Sequence, residues 1–151
     1  KMRMGSRFQK QESGFIAEET IAEADKLIAE MCALSPDVIN QHLETLTGLW
    51  AQMRDKENST ERTALSQNIF TLAHEIKDIG SMCGYTLIAY FAESLRDYIA
   101  RTDLNLKAQV VIIQAHVDAM QIVNKQGVKS DAGPQAEELK KMVKMAIDKY
   151  H

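Results

Sequence analysis

His74, Lys77, Asp78 and Ser81 lie close together in the stretch LAHEIKDIGSMCGYTLI, residues 72–88. An imidazole is a nucleophile and proton carrier near neutral pH, an ammonium stabilises negative charge, and a hydroxyl donates a hydrogen bond. The types alone leave His74 three readings: a reactive group, a metal ligand, or a polar residue on a solvated face. A metal centre fits less well. HEIKD stops one residue short of a zinc-binding HExxH helix, Asp78 would have to stand in for the second histidine, and no third ligand is evident. No Glu-x-x-His pair occurs, so the expected metal content is none. GSMCG has neither the lysine of a P-loop nor GxGxxG spacing, so no motif takes phosphate directly from ATP.

The elements that must carry these residues are helical. Ala, Leu, Ile, Met, Glu, Lys and Gln dominate, aromatics make up 6% of the chain, and only two prolines occur. Apolar residues recur at alternating steps of three and four in six segments. The first runs from about Phe15 to Ala33, with Ile21, Ala24, Ile28 and Met31 on one face. The second opens at Ser35-Pro36-Asp37 and carries Ile39, Leu43, Leu46, Trp50 and Met53. In the third, Asn58 and Glu61 have capping-box spacing ahead of Leu65, Ile69, Leu72, Ile76 and Ile79. A fourth spans Thr86 to about Ala100, a fifth about Leu106 to Lys125, and a sixth starts at Pro134. The connections between the second and fifth helices are short, so neighbours should run antiparallel. The expected fold is all-α: an up-down antiparallel four-helix bundle with an additional helix at each end.

Helical geometry then places the reactive residues. With the stripe Leu65 to Ile79 taken as the core direction, His74 falls about 180° away and faces water. Phe70, Lys77, Asp78 and Ser81 share that outer face. An exposed Phe70 beside an exposed imidazole, running into the small residues of GSMCG, reads as a docking surface with reactive chemistry at its centre. Ile69, Leu72, Ile76, Phe91 and Leu95 should be core. His42 and His116 read as polar boundary residues of their stripes, and the eight methionines as core filler.

Composition limits the remaining classes. A chain of 151 residues, 45% hydrophobic, supports one domain, expected over 15–151 with its bundle at about 36–128. The net charge of -3 and pI near 5.8 come without a basic stripe, so no nucleic-acid footprint is present. The basic stretch Lys1, Arg3, Arg7 and Lys10 reads as part of a disordered or appended tail over 1–14. The longest apolar runs fall far short of the ~20 residues of a membrane span. Cys32 and Cys83 have no CxxC spacing and read as reduced thiols, which makes the cytoplasm the expected location.

The residues from Leu72 to Leu95 resemble the histidine-containing phosphotransfer (HPt) domains of bacterial phosphorelays. That motif has a histidine, a lysine three positions on, small residues after it, a glycine ten positions after the histidine, and then an apolar helix. His74, Lys77, the pair Gly80 and Ser81, Gly84 and YTLIAYFAESL match it. The resemblance implies a two-component phosphorelay protein that accepts a phosphoryl group on His74 from a receiver-domain aspartate and passes it on reversibly. It is then a carrier rather than an autonomous enzyme. Lys77 is expected to stabilise phosphoryl charge and Ser81 to add a hydrogen bond, with Phe70, Asp78, Gly80 and Gly84 forming the receiver docking surface. No cofactor is expected on this chain, since Mg²⁺ belongs to the partner, a response-regulator receiver domain or hybrid histidine kinase. Asp78 departs from the pattern, standing where the family most often has glycine. It leaves an alternative: an HPt-like adaptor that docks signalling partners without chemistry.

Overall fold

The computed structural model describes residues 10–56, 59–102 and 107–150. Among them lie six helices and no strand: α1 (Lys10–Ala33), α2 (Ser35–Arg54), α3 (Ser59–Cys83), α4 (Thr86–Ala100), α5 (Lys107–Gln126) and α6 (Pro134–Tyr150). The all-α expectation holds. Helix α1 begins at Lys10 rather than Phe15. The tail expected over 1–14 otherwise lies outside the described residues, as does the Asn58 cap.

The chain divides into two compact units, Lys1–Leu34 and Ser35–His151. In the first, every described side chain of α1 is exposed except half-buried Cys32, so Ile21, Ile28 and Met31 do not form a core face. Neither Cys32 nor Cys83 is a free thiol. That corrects the reduced-thiol reading. Isolated cysteines carry no spacing pattern from which bonding can be read.

In the second unit, α3 packs against α2 and α4, α4 against α5, and α5 against both α2 and α6. Leu46, Ile69, Ile76, Phe91, Leu95, Ile112 and Met120 are fully buried in one hydrophobic cluster. Burial of side chains of this size stabilises by about 1.5–3 kcal/mol each relative to leaving them in water. The seam between α2 and α5 is polar. Asn124 Nδ2 donates to Asn40 Oδ1 at 2.9 Å, Gln121 Nε2 to Thr47 Oγ1 at 3.4 Å, and Trp50 Nε1 to Gln114 Oε1 at 2.7 Å. Residue numbers rise along α2 as they fall along α5, so these two helices run in opposite directions. Among the described methionines only Met53 and Met120 are in the core, while Met31, Met82, Met142 and Met145 are exposed. The filler role therefore belongs to those two.

The buried line of α3 differs from the expected stripe. It consists of Ser66, Ile69, Ala73, Ile76 and Gly80, with Leu65, Leu72 and Ile79 only half-buried. Small residues lie at its centre because α4 comes close. A Cβ added at Gly80 would lie 2.9 Å from the Tyr85 carbonyl oxygen and 3.1 Å from Ala89 Cβ. The effect is to turn the core-facing side of α3 by roughly 60° on its own axis.

Helix α3 ends at Gly84, whose φ of +86° is the left-handed conformation that glycine adopts without strain. Tyr85 N donates to Gly80 O at 2.8 Å across that turn, satisfying a carbonyl at the helix end. Helix α4 starts without a side-chain cap at Tyr85. The connection from α5 to α6 serves instead: the Lys129 carbonyl accepts from Leu87 N at 3.0 Å, and Asp131 N donates to Thr86 Oγ1 at 3.0 Å.

Candidate functional site

Ile69, Ala73 and Ile76 hold one side of α3 in the core, and that fixes which residues the opposite side presents. His74 is exposed, with 49% of its side-chain surface accessible, and Asp78 and Ser81 are exposed beside it. Phe70 and Lys77 are half-buried. The rotation of α3 accounts for both, since it brings these two positions from the water side to the edge of the core. Gly80 is the clear correction to the expected docking surface. It is buried against the start of α4, so its missing side chain serves helix packing. Gly84 is exposed, and its left-handed turn ends the helix.

Both ring nitrogens of His74 are engaged. Asp78 Oδ2 lies 3.2 Å from Nε2, and Arg96 Nη1, reaching across from α4, lies 2.9 Å from Nδ1. Asp78 Oδ1 is also 3.5 Å from Lys77 Nζ. Arg96 is anchored by Asp97, whose Oδ1 lies 3.1 Å from Nη2. The imidazole thus sits between Arg96 and Asp78, and Lys77 pairs with the same carboxylate. Lys77 comes from its own helix and Arg96 from the next. A dianionic group on this ring would meet positive charge on two sides, at the cost of displacing Asp78. One turn away, His42 Nε2 on α2 lies 3.3 Å from Glu75 Oε2, a boundary pair between α2 and α3.

Arg96 was not singled out in the sequence because nothing local marks it: it follows His74 by 22 positions and belongs to a different helix. The i-to-i+4 pair of His74 and Asp78 was legible from spacing alone.

His116 departs from expectation. It is fully buried, its ring stacked on Tyr98 with centroids 6.3 Å apart. Nδ1 lies 2.8 Å from Ile112 O, which can only accept, so the ring proton is there. Nε2 then accepts from Ser94 Oγ at 2.7 Å. Burial holds His116 below the ordinary imidazole value of 6.5, and the charge of Arg101 acts in the same direction against the hydrogen bond to Ile112. A polar residue beside an apolar stripe reads as a boundary position until its partner on the next helix is known.

No group of three or more His, Cys, Asp or Glu able to hold a metal ion occurs among the described residues, and none of their helices is long and apolar enough to cross a membrane. No family model, curated protein or solved structure matches the chain.

Proposed function

We propose that the chain is a histidine phosphotransfer protein built on an up-down four-helix bundle of α2 to α5, with His74 as the phosphoryl acceptor. The observation that carries this reading is the exposed imidazole with Lys77 one turn along α3 and Arg96 facing it from α4. A neutral imidazole nitrogen attacks phosphorus readily, and its phosphoramidate is labile enough to be passed on to a carboxylate. The two cations neutralise the transferred group. The donor and acceptor are receiver-domain aspartates, with Mg²⁺ held by the receiver, so this chain supplies a positioned nucleophile and a docking face. Phe70 and Ser81 lie on that face beside His74. The protein is a carrier in a two-component relay.

The test is incubation with a phosphorylated receiver domain. An acid-labile, base-stable label should form on the wild-type chain and be absent from His74→Gln. Label that persists in His74→Gln would place the acceptor elsewhere. A second reading, an adaptor that docks without chemistry, is favoured by the contact of Asp78 with both Nε2 and Lys77. Receiver binding without label, in the wild type and in Asp78→Gly alike, would select it.

A further inference from the structure

The two contacts of His74 determine where its proton sits. A guanidinium has donors and no acceptor, so Arg96 Nη1 at 2.9 Å from Nδ1 requires a lone pair on Nδ1. A carboxylate only accepts, so Asp78 Oδ2 at 3.2 Å from Nε2 requires a proton on Nε2. One neutral tautomer satisfies both. The doubly protonated ring would set two donors against each other at Arg96, and the opposite tautomer would fail at both nitrogens.

We infer that Asp78 and Arg96 are positioning residues that hold His74 as the Nε2–H tautomer, a locked resting form in which neither nitrogen offers a free lone pair. The Nδ1 lone pair is taken by Arg96, and Nε2 has none while it carries the proton. Transfer through Nε2 therefore begins with release of both contacts and movement of the proton to Nδ1. The Nε2 lone pair then attacks phosphorus. The bond from phosphorus to the donor carboxylate oxygen breaks with its electron pair going to that oxygen, and the resulting imidazolium loses its Nδ1 proton to solvent. Freed Lys77 and Arg96 meet the phosphoryl oxygens. This consequence rests on the phosphotransfer reading, whereas the tautomer stands on the two contacts alone.

The two parts separate experimentally. Ring ¹⁵N shifts of His74, read through two-bond ¹H–¹⁵N correlations at about pH 8, above the ordinary imidazole range, report the tautomer without any reaction. The wild type should show Nε2 protonated and Nδ1 bare. Asp78→Gly removes the acceptor at Nε2, and Arg96→Gln supplies an amide oxygen able to accept from Nδ1–H, so the double variant should populate the other tautomer. A wild-type ring protonated at Nδ1, or a double variant whose ring keeps the proton on Nε2, overturns the inference. Should the tautomers behave as expected while no variant takes label, the phosphotransfer reading falls and the tautomer assignment stands.

Discussion

The molecule holds two histidines wired in similar ways. His74 bridges α3 to α4 through Arg96, and His116 bridges α5 to α4 through Ser94, each pair separated by 22 positions. Each also bonds a group four positions away on its own helix, Asp78 at i+4 in one case and the Ile112 carbonyl at i-4 in the other. The difference lies in what surrounds them. His116 is sealed against Tyr98, and its partners are a hydroxyl and a backbone carbonyl. His74 is exposed, and its partners are formally charged. Two hydrogen bonds per ring are therefore no mark of function. Access and the charge of the partners separate a histidine that can meet a second molecule from one that joins helices.

That contrast can be broken or sharpened by mutation. Phe91→Ala should have the largest effect, about 3–5 kcal/mol lost in urea unfolding, because fully buried Phe91 anchors the helix that both histidines lean on. A loss below about 1 kcal/mol would mean that α4 is not packed as described. His116→Ala comes next, at about 1–3 kcal/mol, since it strands the half-buried Ser94 hydroxyl and removes the ring's bond to the Ile112 carbonyl. If it unfolds at the same urea concentration as the wild type, the buried pairing carries no stability.

The third prediction concerns pH. His116 is held below 6.5 in the folded state, so the unfolded chain binds the extra proton first as the solution acidifies. The stability tied to its neutral form is fully present above about pH 6.5 and is lost as pH falls through the lowered folded value. Melting temperature should fall as pH drops below about 6.5, and His116→Gln should flatten that slope. An unchanged slope in the variant would assign the acid sensitivity to other groups. The smallest effect is expected at His74→Ala, within about 0.5 kcal/mol of the wild type, since both partners there can turn to water. A loss above about 1 kcal/mol would make His74 a structural bridge like His116 and remove the distinction.

Much of this was legible in residue order. The start of α2 at Ser35, the start of α6 at Pro134 and the limits of α4 follow from caps, breakers and periodicity. So does the exposure of His74, because even a 60° error in the helix wheel leaves it on the water side. The illegible parts share one cause: they depend on contacts between helices. Ala73 and Gly80 carry little hydrophobic weight, so a stripe drawn through large apolar side chains misses the close approach of α4 that they permit. Arg96 and Ser94 look like ordinary surface residues of α4 until the helices on either side supply the rings they touch. His116 was misplaced for the same reason.

The uncapped start of α4 affects the order of assembly. Its Leu87 amide is satisfied by the Lys129 carbonyl, and its Thr86 hydroxyl is bonded by Lys129 and Asp131, more than forty positions later in the chain. A ribosome that has released only the first four helices has therefore not yet made the segment that closes the front of the fourth. Until the turn between α5 and α6 arrives, the Leu87 amide remains open to hydrogen exchange. The front of α4 is then completed by a segment made after both His74 and Arg96.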